Sequence, residues 1–310
     1  MKLFRMLFLA VCTIAFMGGA PSLSQGQILK PSNIKLIKRG KGPRRVLRYR
    51  LKPGKTFNMT ITMHMNMNVK VKISKRAPIN QVVNIPPLKM VNQLKVISRK
   101  KNGLTIVVGK LLKAIPIRTP KSNPMMLAAL NKELTKLKGM SMRYTITSRG
   151  LIKKAVALYT PRMSPQFKQL MDNIRNSFRQ FITPLPKKSV GKGAKWKVVY
   201  VVTKPIVVRQ TTLYTVQQVQ KNLVAMKVVA LQNASSQMRK VKTAGRTLKL
   251  KMSLKSKGTG RTVIRLRSLF INSSLHILSN MKVNTKTKFG NQDVRTKMNI
   301  KTYIRSRKVR

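Results

Sequence analysis

The chain has 310 residues, of which 67 are Lys or Arg and only 3 are Asp or Glu, giving a formal net charge of +64 at neutral pH. Hydrophobic residues make up 42%, enough for a packed core, which separates this chain from disordered basic tails whose apolar content cannot offset chain entropy. The carboxylates Glu133, Asp172 and Asp293 lie far apart in sequence, which argues against a paired-carboxylate glycosidase, leaves a calcium or magnesium cage without ligands and rules out internal salt-bridge networks.

Residues 1–26 carry a basic start at Lys2 and Arg5, a short apolar run over Leu7–Met17, and small residues at Ala20, Ser22, Ser24 and Gly26. This pattern predicts a secretory signal peptide. The apolar run is shorter than the roughly 18 residues a membrane anchor needs. Cleavage near Gly26 would remove Cys12, the single cysteine, so neither a disulfide nor a cysteine-ligated metal is expected in the mature chain. No later stretch is long and apolar enough to span a bilayer as a helix. The expected destination is outside the cytoplasm: periplasm, outer envelope or medium.

Residues 27–48 have little periodicity and many cations, among them Lys38, Arg39, Arg44 and Arg45, and are expected to form a flexible basic arm. After the turn signal Lys52-Pro53-Gly54-Lys55, apolar residues fall on every second position from Met59 to Ile73, with Thr, Asn, Lys and His64 between them. That alternation predicts a long half-buried strand. It resumes at 94–98, Leu104–Leu112, Met140–Thr147 and Leu151–Leu158. Later strands are expected at Trp196–Thr203, Val207–Val219, Leu223–Gln232, Thr247–Leu254, Thr262–Phe270, His276–Phe289 and Val294–Arg305, the last two as a hairpin around Gly290-Asn291-Gln292.

Two helices are expected. The first spans about 124–138, with Asn123 as N-cap, Pro124 in the first turn and Gly139 as the stop. The second spans about 165–182, opened by Ser164-Pro165 and ended by Thr183-Pro184-Leu185-Pro186. The predicted fold class is α+β: a curled, mostly antiparallel, half-barrel-like sheet of about a dozen strands with two covering helices. One domain over 49–310 is expected, organised as two similar halves (49–160 and 190–310) joined by the helix at 165–182.

Three segments carry a resemblance. LRYRLKPGKTFNMTITMHMNMNVKV resembles the opening of a family of uncharacterised secreted bacterial proteins, in which a glycine turn precedes a Met/Thr-alternating strand. YTITSRGLIKKAV is similar to that family's strand–glycine–strand hairpin, and LPKKSVGKGAKW to its segment ending in Trp, here Trp196. The resemblance implies export and a β-rich fold, and no known reaction. Acidic residues that such relatives carry in turns are largely Lys or Arg here, so no site built on them carries over. A curved sheet over helices is also similar in architecture to periplasmic lipoprotein carriers, which implies, as the alternative function, a carrier enclosing an apolar or lipid ligand.

Candidate sites are few. Met63, Met65 and Met67 could offer thioethers to Cu(I), but His64 falls on the opposite face and the Met parity continues into Val69 and Val71, as a core face does. His64 and His276 are the only imidazoles, and neither sits in a catalytic pattern. Gly191-Lys192-Gly193-Ala194-Lys195 lacks the spacing of a phosphate loop and precedes a strand, so a turn is expected. Trp196 reads as a core anchor. No enzyme, cofactor or metal is expected.

The charge pattern is the strongest functional feature. On the terminal hairpin Lys282, Lys286 and Lys288 share one parity, and Arg295, Lys297, Lys301 and Arg305 share another, while Met281, Val283, Val294, Met298, Ile300 and Ile304 occupy the opposite faces. Cations two residues apart on a strand stand about 6.8 Å apart, a density suited to multivalent contact with phosphate or sulfate groups. These seven residues, with Lys38, Arg39, Arg44 and Arg45 of the arm, are the expected polyanion-binding set. The expected partners are anionic envelope polymers or lipid head groups. Nucleic acid is disfavoured because aromatics are only 5% and no recognition module is visible. Adaptation to an acidic medium is a competing explanation that needs no partner.

Overall fold

A computed structural model describes residues 31–74, 77–120, 122–158, 182–202, 206–243, 246–269, 271–287 and 290–309. The described elements are, in chain order, β1 (Pro31–Lys38), β2 (Lys41–Arg45), β3 (Thr56–Ile73), β4 (Ile79–Arg99), β5 (Thr105–Pro116), α1 (Pro124–Thr135), β6 (Ser141–Ile146), β7 (Ile152–Leu158), β8 (Val190–Lys192), β9 (Lys195–Val202), β10 (Val208–Val219), β11 (Leu223–Thr243), β12 (Arg246–Arg265), β13 (Ile271–Thr287) and β14 (Gly290–Lys308). Twelve of the strands form one antiparallel sheet in the order β1-β9-β10-β11-β12-β13-β14-β3-β4-β5-β6-β7, and β2 pairs with β8. Two meanders, β3–β7 and β9–β14, are fused where β14 pairs with β3, from Gln292 opposite Ile73 to Lys308 opposite Phe57.

Alternation dictates which way each strand faces. Along β3, Phe57, Met59, Ile61, Met65 and Met67 are buried, while His64, Asn66, Asn68, Lys70 and Lys72 face solvent. The inner faces build two apolar clusters. One joins Tyr144 and Ala155, near one end of the strand order, to Trp196, Val198 and Tyr214, near the other. The sheet therefore curls until its two ends bury each other, yet β1 and β7 do not pair and the barrel stays open. The second cluster is rich in methionine, with Met65, Met67, Met252, Met281 and Met298, and α1 packs Met126 and Leu130 against it.

Chain segments outside the sheet fill the interior. Leu47, Tyr49 and Leu51 are buried in the first cluster. Their segment ties the two sides together, because Tyr49 N donates to Ser148 O and Arg50 N to Leu266 O, each at 2.7 Å. Residues 182–186 are also buried. Two prolines deny this segment a ladder of its own, so side chains satisfy its carbonyls. Tyr49 Oη donates to Thr183 O (3.2 Å), Trp196 Nε1 to Pro184 O (3.0 Å), Arg149 Nε to Leu185 O (2.9 Å) and Arg48 Nη1 to Pro186 O (2.9 Å). Burial lowers the pKa of both arginines, and Arg48 lowers that of Arg149 further. Burial also raises the Tyr49 hydroxyl well above its usual range. Tyr49→Phe leaves the Thr183 carbonyl without this donor, and a loss of about 1–3 kcal/mol in denaturant unfolding is expected.

The α+β assignment is corrected: the described residues are mostly antiparallel β with one helix. The helix expected at 165–182 lies outside the described residues, apart from Ile182. Among the described residues, the inner face is covered by the curled sheet itself, by α1 and by the 47–51 and 182–186 segments. The helix α1 matches its local signals. Asn123 Oδ1 accepts from Met126 N at 3.2 Å, and Gly139 takes φ +84° beyond the last turn. Asn123→Ala is expected to cost about 1 kcal/mol, read as a lower denaturant midpoint with an unchanged slope.

Three local expectations are also corrected. Residues 31–38 and 41–45 of the supposed flexible arm are strands. Ile34 and Leu36 stand opposite Val198 and Trp196 and pack on the core, a two-residue alternation hidden among lysines. Thr247–Leu254 and the first part of Thr262–Phe270 belong to one continuous strand, β12, which ends at Arg265, while Phe270 lies outside the described residues. The glycines between them mark close approach rather than a turn: a Cβ on Gly260 would collide with the Ser274 carbonyl oxygen of β13. Gly290, Asn291 and Gln292 are paired residues of β14, opposite Thr287, Lys286 and Thr285, rather than the turn of the terminal hairpin.

Candidate functional site

The strands of the sheet centre present their polar parity outward. On β14, Arg295, Lys297, Lys301 and Arg305 are exposed, while Val294, Thr296, Met298, Ile300 and Ile304 are buried. Lys282 is exposed on β13 beside buried Met281. Lys286 stands opposite Asn291, and Lys288 lies outside the described residues.

Antiparallel register sets these cations side by side. Lys282 is opposite Arg295, and Arg295 is opposite Lys70 of β3. Direct cross-strand neighbours have Cβ atoms about 5 Å apart, so three like charges fall within about 10 Å. Lys297 lies between Asn280 and Asn68, and Lys255 of β12 is opposite Asn280. Lys251, Lys255 and Lys257 of β12 and Lys70 and Lys72 of β3 extend the same exposed face. These five were not among the expected residues. Parity marks each of them as outward, but only the β3–β14 and β12–β13 pairings reveal that they adjoin the hairpin.

Acidic relief is slight. Asp293 Oδ2 accepts from Arg295 Nε at 3.1 Å and Nη2 at 3.0 Å. Glu133 pairs with Lys136 of its own turn at 2.6 Å, and Asp172 lies outside the described residues. Such exposed pairs contribute about 0–1 kcal/mol. In water, like charges 5 Å apart repel by roughly 0.8 kcal/mol before salt screening. The face is therefore held positive by core packing beneath it, and it is relieved by counterions or by an anionic partner.

Strand β1 of the arm does not reach the hairpin, whereas β2 places Arg45 beside Arg261, an exposed cation on the outward parity of β12. β1 is separated from β13 by β9, β10, β11 and β12, about 24 Å along the sheet at about 4.8 Å per strand. Arg39 donates from Nη2 to Ser189 Oγ at 2.7 Å, and Arg44 from Nε to Gly40 O at 3.0 Å, so both brace local loops. Lys38 closes β1, and Arg45 lies on β2 at a small cleft it shares with Lys192 and Arg261.

The remaining candidates are placed as follows. Met65 and Met67 face the core, and His64 faces away from them. Residues 191–194 form a turn, with Ala194 N donating to Gly191 O at 3.1 Å. Trp196 is fully buried and stacked on Tyr214 with ring centroids 5.5 Å apart. No group of three or more His, Cys, Asp or Glu side chains able to hold a metal occurs among the described residues. No described helix is long and apolar enough to cross a membrane.

Fold and surface together define a class: an open, curled antiparallel β protein with an apolar interior and a cationic outer face. Residues 161–267 match the model of a family of unknown function (DUF6263), so the stretch that carries Trp196 lies in an uncharacterised domain. No curated protein matches the chain. Among solved structures it is similar to Ail, the attachment invasion locus protein of Yersinia pestis, in complex with the heparin analogue sucrose octasulfate, at 8% identity, 81% coverage of this chain, 99% of that chain and a TM-score of 0.16. It is also similar to OccK8 (OprE) of Pseudomonas aeruginosa, at 5% identity, 82% and 98% coverage and a TM-score of 0.18. Both TM-scores fall short of a shared fold.

Proposed function

We propose that this is an exported, noncatalytic protein of the cell envelope that binds polyanionic polymers or surfaces through the outer face of β12, β13, β14 and β3. One observation carries the reading: cations and apolar side chains are sorted to opposite faces along β14 and across its neighbours. The mechanism is multivalent charge attraction with counterion release. The carrier reading gains less support, because Leu47, Leu51 and Leu185 fill part of the curl.

The test is retention of the folded protein on immobilised heparin across a salt gradient, beside a neutral sugar matrix. Strong retention that collapses with salt is expected on heparin alone. Elution together with the neutral control removes the proposal.

A further inference from the structure

The cationic face contains a cleft of about 570 Å³, lined by His64, Asn66, Asn84, Asn299, Lys301 and Tyr303. One wall is formed by Thr119, Pro120 and Ser122, from the segment that follows β5. Ile117 N donates to Pro87 O of β4 at 2.6 Å, which ties the start of this segment to the sheet, and Thr119 N donates to Ser122 Oγ at 2.9 Å within the segment.

Register sets two parallel rows across the cleft, and every residue of them except His276 lines it. In one, Lys301 lies between His276 and His64, the only two histidines of the chain. In the other, Asn66 lies between Asn299 and Asn84. Asn299 Oδ1 meets His276 Nε2 at 2.7 Å. Asn66 and Asn84 make no side-chain hydrogen bond among the described residues. The His64 and Tyr303 rings meet edge to face, with centroids 5.9 Å apart.

Asparagine is depleted in strands, so three adjacent outward asparagines run against local propensity. Their chemistry is also unlike that of the surrounding face. A bare phosphate chain offers only acceptors, which lysine and arginine already satisfy. A carboxamide offers an acceptor oxygen as well as donors, which suits a ligand that both donates and accepts, as vicinal hydroxyls do. Ring and proline surfaces in the same cleft suit the C–H face of a sugar, and Lys301 supplies charge for an acidic substituent.

Building on the polyanion reading, we infer that the ligand is an anionic polysaccharide, with one acidic sugar unit seated in the cleft against Asn66, Asn84 and Lys301. The experiment measures affinity at fixed salt for two probes of equal charge number, an oligogalacturonate and an inorganic polyphosphate. It uses wild type, Asn66→Ala/Asn84→Ala and Asn66→Val/Asn84→Val; the Val pair restores strand propensity should the Ala pair fold poorly.

The wild type is expected to prefer the oligosaccharide at least tenfold. Both variants are expected to reduce that preference to within twofold, with polyphosphate affinity unchanged. Absence of preference in the wild type, or equal loss of both probes in the variants, overturns the saccharide subsite and leaves the cationic face standing. Failure of the wild type to bind either probe overturns both.

Discussion

Replacing Lys282, Lys297, Lys301 and Arg305 together by Gln is expected to weaken heparin binding on the order of 100-fold or more at 0.1 M salt. By the scaling known for nucleic acids, each lost ionic contact takes about 0.7–0.9 from the slope of log K against log salt. Four contacts should flatten that slope by about 3. All four side chains are exposed, and Arg295 is left in place because it holds Asp293. Folding stability should stay level or rise, since removing Lys282 relieves its repulsion with Arg295 directly opposite. Isothermal titration across a salt series, with thermal unfolding of the same samples, reads both effects. An unchanged slope would place the binding charges elsewhere on the molecule.

The largest loss of stability is expected from Trp196→Ala. The indole is wholly buried, stacks on Tyr214 and caps the Pro184 carbonyl. Truncating a buried Trp costs about 3–5 kcal/mol, which for a chain of this size lowers Tm by on the order of 8 °C. Trp196→Phe keeps a ring but removes the donor, so about 1–2 kcal/mol is expected. Equal Tm for the Ala variant and wild type would mean that Trp196 does not join the two sides of the curl.

Local features of this fold are legible in the sequence, and nonlocal ones are not. The face of each residue in β3 follows from two-residue alternation, and the cap and stop of α1 follow from Asn123 and Gly139. The β14–β3 pairing is different, because no local pattern states which strand lies beside the terminal hairpin. Lys70 and Lys72 could therefore be placed on an outward face but not in the site. The edge strand β1 was hidden for a related reason, as its apolar pair Ile34 and Leu36 is too short to outweigh the lysines around it. At 183–186 the prolines signal an end to helix, yet the donors that let the segment be buried come from Arg48, Tyr49, Arg149 and Trp196, all remote in sequence. The histidine and asparagine rows of the cleft are likewise products of register across three or four strands.

Lysine footprinting with an amine-acylating reagent, with and without a saturating heparin fragment, tests the central claim most directly. Protection is expected at Lys70, Lys255, Lys282, Lys297 and Lys301, while Lys132 and Lys138 near α1 and Lys153 and Lys154 on β7 keep their reactivity. Protection spread evenly over all lysines, or confined to those outside β12, β13, β14 and β3, would contradict a binding face built by that register.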